Sequence, residues 1–191
     1  MNETIKTINE RRAVRKFKPG NVSASLLDQL LYAARMAPSA LNGQPWKFFI
    51  LTERELINVL DQKIKAVASK IFRMEHASEF FDTPNPIFHG APIVIFIAAD
   101  RKNEWAGLDV GMCAQNLMLA AKSLGLDTCT VGLAKFAEQT SVYGALGIPA
   151  GDQILIAISV GYGDENPAPH PRKTDNAFFV KYEHVAGLLT Y

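Results

Sequence analysis

Residues 11–17 read RRAVRKF and residues 38–46 read PSALNGQPW, and these two stretches carry most of the information in the chain. The first places four cations within six residues. The second presents hydroxyl and amide side chains in a turn-prone loop that leads into an apolar run. Together they predict a binding site for a ligand that carries both a phosphate and a flat polar ring.

The composition is typical of one folded domain. The chain has 191 residues, of which 48% are hydrophobic and 20% charged, a balance unlike that of a disordered protein. This length predicts a single domain over residues 1–191. The formal net charge of +1 argues against a nucleic-acid surface, which would carry a clear basic excess.

Cysteines, apolar runs and the N-terminal residues argue against several further classes. Cys113 and Cys129 lie 16 residues apart in apolar segments, which predicts buried thiols rather than a disulfide, a nucleophile or metal ligands. No run of 18 apolar residues is present, and residues 1–6 lack the apolar core of a secretory signal. We therefore expect a cytoplasmic protein that does not span a membrane.

Segments of helical period alternate with short, dense apolar runs along the chain. The third predicted helix, which a capping box at residues 52–55 would open, has six apolar side chains on its expected buried face: Leu56, Val59, Leu60, Ile64, Val67 and Ile71. The pattern predicts helices near residues 5–10, 26–34, 52–71, 103–124 and 138–146, and strands at 47–51, 93–99, 128–133 and 153–162. This order indicates an α+β or α/β sheet covered by helices.

The predicted helix at residues 103–124 is apolar almost all round between residues 110 and 121. A helix with no polar face is buried on every side, and so small a chain offers little to cover it. We expect a homodimer in which this helix packs against its twin. The alternative is a central helix that is wrapped by its own chain.

The basic residues have a binding interpretation and a structural one. Arg11 and Arg15 share a side whether their segment is helical or extended, and arginine offers the planar donors that phosphate prefers. Arg172 and Lys173 form a second basic group, held stiff by Pro169 and Pro171. The alternatives are a solvated basic helix end at the first group and an ordinary polar surface loop at the second.

The loop at residues 38–46 could contact the edge of a pyrimidine-like ring. Ser39, Asn42 and Gln44 carry side chains that donate and accept hydrogen bonds, and Pro38 with Pro45 would hold the loop rigid. A helix stop followed by a turn is the structural alternative, although it leaves Gln44 and the residues after it unexplained. Flavin mononucleotide, FMN, combines the phosphate and the ring that the two stretches predict.

These motifs resemble those of the nitroreductase family of FMN-dependent oxidoreductases. The resemblance follows the order of the chain from about residue 5 to residue 175, and the Pro-Ser-x-x-Asn-x-Gln-Pro-Trp element at residues 38–46 is its specific part. It implies an α+β fold with a central, mainly antiparallel sheet flanked by helices, and an intertwined homodimer with FMN at the subunit interface. It also implies cofactor contacts from both subunits.

The resemblance assigns these contacts residue by residue. Arg11, Arg12 and Ala13 match the segment at the phosphate and ribityl chain, and Arg15 matches the cation near the N1 and O2 edge of the ring. The remaining matches are a loop lent by the partner, a backbone near N5 and a C-terminal phosphate contact: Pro38, Ser39, Ala40, Asn42 and Gln44; Val131 and Gly132; Arg172 and Lys173.

The implied activity is NAD(P)H-dependent oxidoreduction, with ping-pong hydride transfer through flavin N5 to a nitroaromatic, a quinone or a similar acceptor. No side chain would be catalytic in itself, and Arg15 would stabilise negative charge on the reduced ring. We expect residues 71–90 to shape the acceptor slot or to be ordinary core. A dehalogenating or flavin-consuming relative, or a flavin-binding protein without turnover, remains an alternative function.

Overall fold

A four-stranded sheet forms the centre of the computed structural model, which describes residues 1–72 and 83–179. In chain order the main elements are α1 (Glu3–Glu10), α2 (Ala24–Arg35), β1 (Lys47–Leu51), α3 (Arg54–Phe72), β2 (Ile93–Asp100), α4 (Ala106–Ser123), β3 (Asp127–Val131) and β4 (Asp152–Gly161). Three short 3₁₀ helices cover Ala40–Asn42, Gly132–Gln139 and Tyr143–Leu146.

The strands lie in the order β1-β2-β4-β3, and every neighbouring pair is antiparallel. The central strand β2 pairs with β1 on one side, where Phe96 faces Phe49, and with β4 on the other, where Phe96 faces Ala157. Seven of its eight residues are buried, as its continuous apolar run predicts. The expected α+β fold with an antiparallel sheet flanked by helices is therefore confirmed.

The two faces of the sheet are covered by different helices. On one face Val94, Phe96 and Ala98 pack into a core with α3 and the 3₁₀ helix Gly132–Gln139. On the other face Ile95 and Ile97 pack against α2 and α4. Alternate residues of one strand therefore enter two separate cores, as the period of a strand requires.

Local signals fix several helix ends. Ser23 caps α2, because its Oγ accepts a hydrogen bond from the Leu26 amide at 3.3 Å. Beyond α4, Gly125 has a φ of 76°, and the amide of Leu126 donates to the Ala121 carbonyl at 2.8 Å. This arrangement is the left-handed C-terminal cap that the glycine predicts.

Two predictions about helices were wrong. Residues 138–146 do not form one helix, because the chain becomes extended at Thr140 between two 3₁₀ segments, while the Glu138 carboxylate binds the Ile154 amide at 2.8 Å. On α3, Val59 and Ile71 are exposed. The predicted Leu60 and Ile64 are buried, and the buried face also includes three positions that were not predicted: Ile57, Asp61 and Ala68.

Within one chain α4 is not covered on every side. Its buried face includes Val110, Cys113 and Leu117, whereas Gly107 and Leu108, with other residues one and two turns along, are exposed. Part of an almost wholly apolar helix thus faces outward. Among the described residues no helix is both long enough and apolar enough to cross a membrane.

Candidate functional site

The basic segment, residues 11–17, runs in an extended conformation beside the sheet. Ala13 forms a parallel bridge with Thr128 on β3, and Phe17 forms an antiparallel bridge with Gly163 beyond β4. Because side chains alternate along an extended chain, Arg11, Ala13 and Arg15 lie on one side. Of the two conformations that the sequence allowed for this segment, helical and extended, the structure has the extended one.

Arg11 and Arg15 keep their charges available for a ligand. Both act electrostatically on the buried thiol of Cys129, whose pKa is raised mainly by burial. Among the described residues no carboxylate lies within salt-bridge distance of either guanidinium. The Arg15 guanidinium donates one long hydrogen bond to the Ala13 carbonyl, at 3.5 Å, so most of its five N–H donors remain free.

Arg12 belongs to the other side of the basic segment. Its guanidinium donates to the carbonyls of Asn9 and Arg11 at 2.5 and 2.8 Å, while its Nε is buried and has no partner in the described part of the chain. It lines a cavity of about 420 Å³ with six other residues: Glu10, Lys122, Asn166, Pro167, Ala168 and Pro169. The Arg12 side chain is therefore not grouped with those of Arg11 and Arg15.

A larger cavity of about 470 Å³ opens beside Arg15 and Lys16. The segment that precedes β2 supplies most of the other lining residues, and Glu165 completes the lining: Thr83, Pro84, Asn85, Pro86, His89 and Glu165. His89 is half-buried, and burial followed by the Arg15 charge lowers its imidazole pKa to about 4. His89 is thus a neutral hydrogen-bonding group at neutral pH.

Residues 71–90, which we expected to shape the acceptor slot or to be ordinary core, are described only in part. Phe88 is fully buried and packs edge-to-face on Phe96, with ring centroids 5.7 Å apart. It is core, whereas its neighbour His89 lines the cavity. His76, Phe80 and Phe81 lie outside the described residues.

The amide loop, residues 38–44, is held by its own side chains. Ser39 Oγ accepts from the Gln44 amide at 2.9 Å, and Gln44 Nε2 donates to Asn42 Oδ1 at 3.2 Å. The Ala40 amide donates to Asp109 Oδ1 at 3.1 Å, and Asp109 is almost fully buried in the first turn of α4. Asn42 and Gln44 are exposed, and within the described ranges the Asn42 Nδ2 donor and the Gln44 Oε1 acceptor make no hydrogen bond.

Backbone strain is concentrated in the amide loop and the cavity wall. Among the described residues, the non-glycine residues with positive φ are Leu41, Asn42, Gln44 and His89, at 53°, 55°, 43° and 59°. Such conformations cost free energy and persist only where surrounding contacts enforce them. His89 lies in residues 71–90, which the sequence predicts to shape the acceptor slot or to be core. The sequence did not single out Asp109, although an acidic residue at the edge of an apolar helix was a usable signal.

The basic segment and the amide loop lie near opposite ends of α4. The loop is bonded to Asp109, while Arg12 shares its cavity with Lys122. These two positions on α4 are 13 residues apart, which corresponds to about 20 Å of helix. Within one chain, therefore, the two motifs do not meet.

The remaining predicted cofactor contacts lie apart from the side chains of the basic segment. Val131 is buried at the end of β3 and Gly132 is exposed after it, about 10 Å along the strand from the bridge at Thr128. Arg172 is exposed and donates to the carbonyls of His170 and Pro171. Like Lys173, which is also exposed, it makes no hydrogen bond or ion pair with the basic segment in the part of the chain that is described.

The described ranges contain no group of three or more His, Cys, Asp or Glu side chains placed to hold a metal ion.

The chain is similar to proteins of known family. The model of the nitroreductase family matches residues 8–162. This match includes both the basic segment and the amide loop.

Individual relatives extend the match to nearly the whole chain. A 4-nitrobenzoate reductase from Pseudomonas putida is 29% identical, with 94% of each chain covered. An NADPH-flavin oxidoreductase from Vibrio harveyi is 31% identical over 90% of this chain and 70% of that protein. A nitroreductase with bound FMN from Desulfitobacterium hafniense DCB-2 has a TM-score of 0.84 and 29% identity, covering 95% of this chain and all of that one (100%).

Proposed function

Since the chain belongs to the nitroreductase family, we propose that it is an FMN-dependent oxidoreductase that uses NAD(P)H to reduce nitroaromatic, quinone or similar acceptors. The observation that carries this function is that Arg11 and Arg15 share one side of an extended segment and form no ion pair among the described residues, while Arg15 lines a cavity of about 470 Å³. The names of the relatives support the acceptor class and the co-substrate. The FMN-bound nitroreductase supports the cofactor.

The chemistry of the available donors fits FMN. Its phosphate is close to a dianion and suits guanidinium groups that form no ion pair in the described part of the chain. Its ring edge carries donors and acceptors that match the free amide atoms of Asn42 and Gln44. Buried ion pairs at Arg11 and Arg15, or a loop with every amide atom satisfied, would have argued against the cofactor.

Each predicted contact has a definable part in holding FMN. Arg11 and Ala13 would hold the phosphate and ribityl chain, and Arg12 would contribute only its backbone because its side chain faces away. Arg15 would lie at the ring edge. The amide loop, the end of β3 and the C-terminal basic group would supply the other contacts: Pro38, Ser39, Ala40, Asn42, Gln44, Val131, Gly132, Arg172 and Lys173.

When bound, FMN would supply the two-electron transfer between NAD(P)H and the acceptor. Arg15 holds a permanent positive charge at the cavity, because a guanidinium does not lose its proton in proteins. A fixed charge of this kind favours negative charge that develops beside it. The role of Arg15 is therefore electrostatic stabilisation, without proton transfer.

A second copy of the chain would complete the site. The exposed part of α4 lines a shallow cavity of about 430 Å³ with Pro38 of the amide loop, and a Cβ on Gly107 or Gly111 would meet open space. A two-fold axis near the middle of α4 would pair it antiparallel with its twin. The amide loop of each chain, near Asp109, would then lie beside the other chain's basic segment, near Lys122.

The cofactor assignment is tested with the purified protein. We expect a yellow protein with about one FMN per chain that oxidises NADH or NADPH in the presence of a nitrofuran or a quinone. Arg15→Gln should weaken FMN binding and slow its reduction, whereas Lys18→Gln, at an exposed neighbouring cation, should change neither. Flavin binding without turnover would instead favour the non-catalytic alternative, and absence of flavin binding would refute the proposal.

The dimer is tested by placing a charge on the exposed face of α4. Leu108→Glu should shift the protein toward monomer in analytical ultracentrifugation and lower its FMN content at the same time. Val59→Glu, at another exposed apolar position on a helix, is the matched control. A Leu108→Glu monomer that retains FMN with wild-type affinity would show that the partner's loop is not part of the site.

A further inference from the structure

Three side chains of helix α3 form hydrogen bonds with residues 83–90, several of which line the large cavity. We call residues 83–90 the wall segment. Gln62 Nε2 donates to the Pro84 carbonyl at 2.7 Å, and Arg54 donates to the Gly90 carbonyl at 3.1 Å. Between these two bonds, Asp61 Oδ2 accepts hydrogen bonds from the backbone amides of Ile87 and Phe88 at 3.1 and 2.7 Å.

An aspartate is energetically unfavourable at position 61. Its side chain is completely buried, and its second oxygen, Oδ1, has no hydrogen-bond partner among the residues that the structure describes. A buried, incompletely paired carboxylate destabilises a fold relative to an apolar residue of similar size. Stability alone therefore does not account for an acid here.

The two amides that Asp61 binds lie immediately before a strained turn. His89 and Gly90 follow with φ values of 59° and 68°, a conformation that histidine adopts at a cost. The turn is also held by Ser159, whose hydroxyl donates to the Phe88 carbonyl at 3.1 Å. The neutral His89 in this turn lines the same cavity as Arg15 and Lys16.

We propose that Asp61 is a positioning residue for the electron acceptor: its carboxylate fixes the turn that presents His89 and Asn85 to the acceptor's side of the cavity. This inference depends on the proposed function, which assigns the flavin to the Arg15 side. The wall segment, which lines the same cavity, then borders the space left for the acceptor. Neutral imidazole and amide groups there suit the oxygen atoms of a nitro group or a quinone, which accept hydrogen bonds.

Because the charge of the Asp61 carboxylate changes with pH, the effect of its hydrogen bonds on acceptor binding can be separated from the effect of its packing. Burial raises its pKa to about 6, with the amides of Phe88 and Ile87 and the charge of Lys65 acting in the opposite direction. In the wall segment, burial and then the charge of Arg15 lower the pKa of His89 to about 4, while the charge of Glu165 acts in the opposite direction. Between pH 7 and pH 5, therefore, Asp61 gains a proton while His89 stays neutral, and a protonated carboxyl is the weaker acceptor for the two amides.

The test uses the FMN-loaded protein and a quinone or a nitrofuran as the acceptor, assayed between pH 5 and pH 8. In the wild type, the acceptor KM should rise several-fold as the pH falls through about 6, the pKa of Asp61. Asp61→Asn keeps the shape and one acceptor but does not titrate, so its acceptor KM should lack this pH step. Asp61→Leu, which accepts no hydrogen bond, should raise the acceptor KM about tenfold at every pH.

Three controls keep the inference falsifiable. Glu55→Gln changes an exposed acid on the same helix and should preserve the wild-type KM and pH profile. The FMN dissociation constant should be equal in the wild type and in Asp61→Asn, and the circular dichroism spectra should match. If Asp61→Leu fails to fold, the pH profile of Asp61→Asn still provides the test.

Two results would overturn the role of Asp61. One is a pH profile of the acceptor KM that is the same in Asp61→Asn as in the wild type. The other is weaker FMN binding in Asp61→Asn, which would place the wall segment against the flavin. Failure of the proposed function is distinguishable, because the wild type itself would then lack FMN or turnover.

Discussion

Replacing Asp61 with asparagine should stabilise the folded protein at neutral pH. The carboxylate is fully buried, and burial raises its pKa from 3.8 to about 6. Such a rise corresponds to roughly 3 kcal/mol by which the charged form is disfavoured in the folded state. Asparagine has nearly the same shape and no charge, so Asp61→Asn should increase the free energy of unfolding at pH 7 by up to that amount.

The pH dependence gives this prediction its sign. The folded protein binds a proton at Asp61 near pH 6, whereas the unfolded chain binds it near 3.8. Between these values the folded state holds more protons, so the free energy of unfolding of the wild type rises as the pH falls. The advantage of asparagine should therefore be largest above about pH 7 and should disappear by about pH 4.

Urea unfolding followed by circular dichroism at several pH values between 4 and 8 measures this difference. Glu55→Gln, on the exposed side of the same helix, controls for removal of a carboxylate without burial and should show no comparable pH-dependent gain. A stability difference between Asp61→Asn and the wild type that stays constant over this range would refute the reasoning. So would an asparagine variant that is less stable than the wild type at pH 7.

Three further predictions follow from close contacts and burial. Gly161→Ala should cost roughly 1–3 kcal/mol of unfolding free energy in urea, because a Cβ there would lie 2.7 Å from Pro92 Cδ; unchanged stability would contradict this contact. Asp109→Ala, which removes the acceptor of the Ala40 amide, should raise the FMN dissociation constant about tenfold in a fluorescence titration, with Asp109→Asn showing a smaller effect. Cys113, buried with its pKa raised to about 12, should react with a thiol reagent at pH 8 only after unfolding, and rapid labelling of the native protein would be the contrary result.

The regular elements could be predicted because their signals are local. The apolar run at residues 47–51 predicts β1 with its observed bounds, and the observed β2 is one residue longer than its prediction. Gly125 predicts the end of α4, since glycine adopts the left-handed cap without a steric penalty. Period and capping residues determine such features within a few positions of the chain.

The failures arise where distant contacts override local preference. Residues 138–146 carry a helical pattern, but Glu138 is bound to the Ile154 amide and to Arg101. On α3, the choice between Val59 and Ile57 for the core depends on how the helix is rotated against the sheet. The 3.6-residue period alone leaves that rotation uncertain by one position.

The candidate site was predictable in its chemistry but not in its assembly. The residue types of the basic segment indicate an anion site, and the extended backbone selects Arg11 and Arg15 over Arg12 because alternate side chains face opposite ways. The separation of the two motifs along α4 is a property of the tertiary structure. It also turns the dimer from an inference about an apolar helix into a geometric requirement of the proposed site.

Backbone strain provides an independent argument for where the function lies. Leu41 and Gln44 are not residues whose identity predicts a positive φ, which glycine favours most and which asparagine, aspartate and histidine adopt more often than other residues. Each such conformation costs about 1–3 kcal/mol, and in the described residues all of them fall in the amide loop or the wall segment. A buried carboxylate is bonded to each of these segments, Asp109 to the first and Asp61 to the second. Positive φ values and a buried carboxylate thus occur together in both segments, and both features reduce stability. Their coincidence is better explained by a need to fix the positions of ligand contacts.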